Sequence, residues 1–323
     1  MGCVLFLFGM ISLAMADIDF GNVGVFLVDG DASARQGIRH ILFNEGCRDI
    51  RLADDCKEVV EVLNQQDPDL IIGELRLPDG DFGAVTQKIR QGQLGHNPFV
   101  PIILVVVEDE DPAAIKVALN QGVDDVVPKP VSAASLMTRI NRLINQRRPF
   151  VVTEDYMGPK RMQDDDARSL DAPNHFARKL AGEKIGFLEK EMDVAAAEED
   201  VKGCRLQFIG DEIKGLIDHV APRLEKGEFD EALRESLARV AAETQRAHGQ
   251  LENTRYEHVG RLCSSLSGVA KQLHDTSDAV DQRRALLLRP LSQAIQVGFA
   301  GGISSEEAAK AIVEKIGAGV LAN

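Results

Sequence analysis

Between residues 23 and 146 the apolar positions fall into two alternating kinds of segment. Unbroken apolar runs stand at 23–28 (VGVFLV), 69–75 (DLIIGEL) and 100–107 (VPIILVVV), with weaker ones at 49–53 (DIRLA) and 124–130 (DDVVPKP). Between them, 32–46, 56–66, 82–92, 112–122 and 132–146 repeat their apolar residues every three or four positions, the period of a helix with one buried face. Runs that are apolar without alternation predict parallel strands covered on both sides. The pattern predicts a doubly wound α/β fold, a five-stranded parallel sheet with strand order 2-1-3-4-5. In such sheets ligands meet the carboxyl ends of the strands. Those ends place Asp29, Gly30 and Asp31, then Glu74, Val106 and Lys129, around one crevice.

The rest of the chain reads differently. Residues 149–174 are rich in charge and proline with little periodicity, and predict a linker with a short extended segment at 150–152. From His175 onward the periodicity is helical, with a break expected near Pro222 and one long proline-free stretch at 229–288. Within it Val259, Leu262, Leu266, Val269 and Leu273 alternate spacings of three and four, a seam that fits a bundle core or a homodimer interface. Ser304 and Glu307 form a capping-box pattern for a last helix reaching about Ile316. The expected division is 22–148 as the α/β domain, 149–174 as linker and 175–323 as an α-helical interaction or dimerisation domain. Residues 1–21 read as a leader or as a start placed too early, with Met15 as the first residue.

Composition narrows the function. The chain has 323 residues, a formal net charge of -14, no Trp and only 5% aromatics. That balance disfavours nucleic acid, which needs a basic surface and stacking rings. Five scattered cysteines with no close pairs predict reduced thiols in the cytoplasm, with no disulfide framework and no zinc site. The apolar start is short for a membrane span, so no membrane association is expected.

The stretches FLVDGD (26–31), DLIIGELRLPDGDFG (69–83) and ALNQGVDDVVPKP (118–130) resemble the receiver domain of two-component response regulators. The resemblance implies phosphoryl transfer onto an aspartate. Two adjacent acids after strand one hold Mg²⁺, an Asp ends strand three, a Ser or Thr ends strand four, and a Lys ends strand five. Electrostatic positioning does most of that work. Asp29 and Lys129 match. Gly30 stands where the second acid is expected, with Asp31 the next acid. Glu74 takes the phosphoacceptor position, its carboxylate one methylene, about 1.5 Å, further out. Val106 takes the switch position and has no hydroxyl. The expectation is a degenerate pseudo-receiver, not an enzyme, with Glu74 either mimicking a phosphorylated state or left from a decayed site. Mg²⁺ is expected to bind weakly, through Asp29 and Glu74 if at all.

Alternatives remain open. One is a phosphorylatable regulator with an atypical site. Another is a phosphotransfer or phosphatase-like helical half, working through His258 or through Asp278 and Gln282. A third, a DNA-binding regulator, meets no helix-turn-helix pattern in this chain. The expected partners are signalling proteins, docking on the helices near 112–121 and 132–145.

Overall fold

The computed structural model describes residues 19–153, 155–161, 167–252, 254, 256–276 and 281–299. The N-terminal leader reading and the capped last helix therefore lie outside the described residues, as does Asp278. The chain divides into two compact units, Met1–Asp200 and Val201–Asn323.

In the first unit the elements run β1 (Gly24–Val28), α1 (Ala32–Asn44), β2 (Asp49–Ala53), α2 (Cys56–Leu63) and β3 (Leu70–Glu74). A two-rung hairpin of β4 (Arg76–Leu77) and β5 (Gly80–Asp81) leads into α3 (Phe82–Arg90). Then follow β6 (Ile102–Val106), α4 (Pro112–Asn120), β7 (Asp125–Pro128) and α5 (Ala133–Asn145). The sheet order is β2-β1-β3-β6-β7, all parallel, as the apolar runs predicted. Each of its five helices starts on a residue whose side chain accepts a backbone N–H of the first turn: Asp31, Asp55, Asp81, Asp111 and Ser132. Caps of this kind contribute about 0.5–2 kcal/mol each.

Strand pleating sorts the core onto two faces. Val25, Leu27, Ile72, Ile103, Val105 and Val127 pack with Ile38 and Leu42 of α1 and Leu136 and Ile140 of α5. Phe26, Val28, Ile71, Leu104 and Val106 pack with Val59 of α2, Phe82 and Val85 of α3 and Ala118 of α4. Gly73 belongs to this second arrangement: a Cβ there would sit 2.2 Å from the Phe82 ring, so the ring lies over bare backbone. That close approach fixes the start of α3 just beyond Glu74.

The stretch expected as a linker is largely ordered structure. β8 (Phe150–Val152), β9 (Met157–Pro159) and β10 (Arg168–Leu170) form an antiparallel sheet in the order β10-β8-β9. Three-residue strands are too short to show periodicity. Phe150 is their anchor. Its ring lies 5.1 Å from the Arg90 guanidinium and 4.8 Å from that of Arg147, and edge-on to Phe99. Arg90 is fully buried at the end of α3. It donates to Asp124 at 2.8 Å and to the carbonyls of Pro98, Val100 and Gly122, while Arg147 holds the other Asp124 oxygen at 2.8 Å. Burial lowers the Arg90 pKa to about 10, still charged at neutral pH.

The helical region also begins inside the first unit. In α6 (His175–Leu180), Phe176 and Leu180 join the α1–α5 core. Lys179 and Lys190 both reach the buried Asp69, at 2.8 and 3.2 Å. These contacts move the boundary expected at 174/175 to 200/201. α7 is one helix, Phe187–Glu225, and the break expected near Pro222 is absent; Pro222 sits in its last turn.

In the second unit, α7 from residue 201 onward, α8 (Glu231–Leu251), α9 (Glu257–His274) and α10 (Gln282–Phe299) share one core. The long stretch 229–288 is thus cut twice. Val259, Leu262, Leu266 and Leu273 are at most 1% exposed inside this core, with Val269 partly buried against it. The seam is therefore engaged within the chain and is not free to pair with a second copy. Among the described residues no helix is long and apolar enough to cross a membrane.

Candidate receiver crevice

Strand pleating and the sheet register bring three sequence-predicted residues together. Asp29 continues the alternation of Val25 and Leu27, Glu74 that of Leu70 and Ile72, and Lys129 that of Val127. All three therefore point to the α1–α5 face at the carboxyl edge of the sheet. Lys129 Nζ lies 2.5 Å from Glu74 Oε1 and 2.9 Å from Asp29 Oδ2. Asp29 is fully buried, and the Glu74 and Lys129 side chains are 13% and 18% exposed.

Backbone donors complete the cluster. Gly30 N–H donates to Glu74 Oε2 at 3.1 Å, and Asp31 N–H to Asp29 Oδ1 at 2.8 Å. Arg35, one turn into α1, donates to the Asp29 carbonyl and lies 3.8 Å from Asp54. Both Glu74 oxygens are thus engaged, one by an ammonium and one by a main-chain amide. Burial is the largest influence on Glu74 and raises its pKa; Lys129 opposes this and the Asp29 charge reinforces it. On Lys129 burial pulls downward, yet the bonds and charges of Glu74 and Asp29 outweigh it and hold the ammonium above its ordinary value. Two carboxyl groups share one ammonium in a half-dry pocket.

Two predicted positions change. Val106 is 4% exposed and packs in the opposite core with Leu104, so it faces away from the crevice. Val107, the residue after β6, is 46% exposed. It too lacks a hydroxyl. Asp31, expected as part of an acidic pocket, turns its carboxylate onto Ser33 N–H at 2.8 Å as the cap of α1.

The residues present do not fit Mg²⁺. Asp29 and Glu74 both face Lys129, Asp31 caps a helix, and residue 30 has no side chain. A Cβ at Gly30 would lie 3.0 Å from Pro78 Cδ, so the β3–α3 connection stands close to where a second acid would project. Among the described residues no group of three or more His, Cys, Asp or Glu could hold a metal. An octahedral oxygen shell has too few donors to build on here. Sequence reasoning missed Arg35 and the approach of Pro78 to residue 30; the i+4 spacing of Arg35 from Asp31 was the available signal, whereas the Pro78 contact is purely tertiary.

In the helical unit, His258 is half-buried and its Nε2 is buried without a hydrogen-bond partner. That nitrogen cannot meet a phosphodonor, which removes the basis of the phosphotransfer candidate there. His274 pairs with Asp275 at 2.8 Å, and Gln282 is exposed at the start of α10.

The family model described as the response regulator receiver domain matches residues 25–141. The DNA-binding transcriptional regulator NtrC of Proteus hauseri is 32% identical over 130 residues, 40% of this chain and 25% of that protein. The phosphate regulon transcriptional regulatory protein PhoB of Escherichia coli (strain K12) is 25% identical over 160 residues, 50% of this chain and 64% of that one. A solved two-component response regulator from Clostridium difficile is 27% identical and covers 38% of this chain and 97% of its own, with a TM-score of 0.35. The chain thus spans about a quarter of the length of the first curated relatives it matches. With its sheet order and strand-end lysine already in place, the chain carries a response regulator receiver domain at residues 25–141.

Proposed function

We propose that this receiver works without phosphorylation, as a pseudo-receiver that signals through protein–protein contacts. The observation that supports it is Lys129 Nζ held between Glu74 and Asp29 while Gly30 N–H occupies the second Glu74 oxygen. In this arrangement the ammonium already has a permanent anionic partner where a phosphoryl group would otherwise be its ligand. Attack by Glu74 on a phosphodonor would require breaking both of its bonds and moving a longer side chain into line, and displacements of about 1 Å are costly for such steps. Neither Val106 nor Val107 offers a hydroxyl to read a phosphoryl group. The surface therefore has one setting, fixed by sequence, and its partners recognise that setting.

The DNA-binding role in the relatives' names is not carried over. The receiver match ends at residue 141, and the second unit is a helical core in an acidic chain. The test is incubation of the full chain with acetyl phosphate and Mg²⁺ followed by intact mass. No 80-dalton adduct is expected. An adduct that disappears in Glu74→Gln or Asp31→Asn would overturn the reading in favour of a working regulator.

A further inference from the structure

We propose that the first turns of α7 are a docking surface for a partner protein that presents a basic amphipathic helix. Residues 187–200 belong to the first unit, and the helix there has two sides of unlike character. Lys190, Val194 and Ala197, at spacings of four and three, are buried. Lys190 Nζ reaches Asp67 at 2.9 Å and Asp69 at 3.2 Å, and Arg178 of α6 holds Glu189 at 2.6 Å and Asp193 at 3.1 Å. This side is fixed to the receiver by ion pairs.

The other side is apolar and uncovered. Leu188, Met192 and Ala195, also spaced by four and three, lie about half a turn away from the buried row. Phe187 opens the helix beside Leu188. Phe187 and Leu188 are each 72% exposed and Met192 69%, the highest values for large apolar side chains among the described residues. The others, such as Phe43 and Val117, stand singly along the sequence, and the Phe43 ring carries the Arg48 guanidinium at 4.2 Å. Single exposed apolar residues are ordinary, whereas a contiguous patch marks an interaction site. Aromatic and Met side chains are the types enriched where proteins meet. A helix already held on its far side loses little freedom when its free side is covered.

Charge selects the occupant. Residues 187–200 contain six acids and one lysine. The lysine, Glu189 and Asp193 are committed to the ion pairs above. Glu191, Glu198 and Asp200 have no cationic partner among the described residues, and Glu191 and Glu198, seven apart, lie along one flank of the apolar side. A second copy would set these acids against their own kind, and an anionic lipid surface would repel them. A helix whose apolar stripe is edged with Lys or Arg meets both features at once: the stripe covers Phe187, Leu188 and Met192, and its edges face the acids. The proposal stands whether or not the crevice accepts a phosphoryl group.

The test is fluorescence anisotropy of a labelled peptide of about 18 residues, leucine and lysine in helical period, titrated with the full chain at physiological salt. Saturable binding is expected, weakened at least tenfold by Leu188→Ser/Met192→Ser, which leaves every charge in place. The same pattern with glutamate for lysine is expected not to bind. On the native chain the lysine peptide is expected to slow hydrogen exchange in residues 187–199. The proposal is overturned by no binding, by binding that the double variant leaves unchanged, by equal binding of the glutamate peptide, or by protection confined to other residues. Self-association of the native chain, or its capture by phosphatidylserine vesicles, overturns it too if the double variant abolishes either, because a second copy or a lipid surface is then the occupant. Both replaced side chains are exposed, so the variant is expected to keep the native urea midpoint; a lowered midpoint means that the chain itself already covers the patch, and overturns the proposal.

Discussion

Replacing Lys129 with Met tests the crevice most directly. The substitution keeps most of the side-chain volume and deletes the ammonium that bridges Asp29, fully buried, and Glu74, 13% exposed. Removing one partner of a buried pair costs about 3–5 kcal/mol, because the remaining charge is stranded. Lys129 itself is 18% exposed, which argues for the lower end, about 3 kcal/mol. With a urea m-value of about 2–3 kcal/mol/M, the receiver midpoint falls by about 1 M. The assay is urea unfolding of the full chain, followed on the receiver by hydrogen-exchange protection of β1 and β3 peptides. The sign with pH follows from the groups left behind. The Lys129 pKa is raised in the fold, so its stabilising contribution is complete below 10.5 and fades only as pH rises through the higher folded value. The deficit of the Met variant is thus full at pH 7 and shrinks on acidification, as Glu74, whose pKa burial already raises, takes up its proton. Adding Glu74→Gln recovers about 1–2 kcal/mol by removing one of the two carboxylates. An unchanged midpoint at pH 7, or a deficit that grows on acidification, would refute the reasoning.

Glu74→Gln alone is expected within about 1 kcal/mol of the native protein at pH 7. Because the Glu74 pKa is raised by burial, native stability falls as pH climbs from 4.5 through the folded value; the Gln variant lacks that fall, so its relative stability improves between pH 4 and 7 in parallel urea titrations. Arg90→Met leaves three buried carbonyls without their donor, with Asp124 still held by Arg147, and is expected to cost the receiver about 3 kcal/mol and to expose β8 to proteolysis; native-like protection of β8 would contradict this. Gly30→Asp must push against Pro78, and is expected to cost about 1–3 kcal/mol, read as a lowered urea midpoint. Gly30→Asp/Glu74→Asp together supply the carboxylates the family pattern asks for, and calorimetric Mg²⁺ binding at least tenfold tighter than in the native chain is expected; binding no tighter than native would refute the assignment of the two positions.

The sheet was legible because its strands are unbroken apolar runs, and burial on two faces leaves no other pattern available to them. The helices were legible from apolar residues recurring every three or four positions; the Asp that caps each of four of them was seen only in the structure. What escaped was set by contacts distant in sequence. The sheet of β8–β10 has strands of three residues, below the length at which period two can be counted, and it is held by Phe150 against two arginines. Arg90 itself looks like a surface cation at a helix end until Asp124 closes over it, 34 residues away. The division between units was misplaced for the same reason: α6 has the periodicity of the helices after it, but Phe176, Leu180 and Lys179 are committed to the receiver.

At the crevice, sequence identified the residues but not their mutual fit, and the fit carries the argument. Gly30, Glu74 and Pro78 are each compatible with a receiver read singly. Together they interlock: the bare Gly30 amide receives the longer carboxylate, and Pro78 approaches because no side chain stands at residue 30. One position illustrates the limit sharply. A strand-end residue is assigned to a face by parity, and a one-residue error reverses it, so Val106 reads as a crevice residue until its packing with Leu104 is visible. Shortening Glu74 alone would withdraw the anion from both Gly30 and Lys129 without supplying the missing second acid. Under the proposed reading the departures from the family pattern act as one coupled set, and reversal of any single member is expected to leave a crevice that does not accept a phosphoryl group.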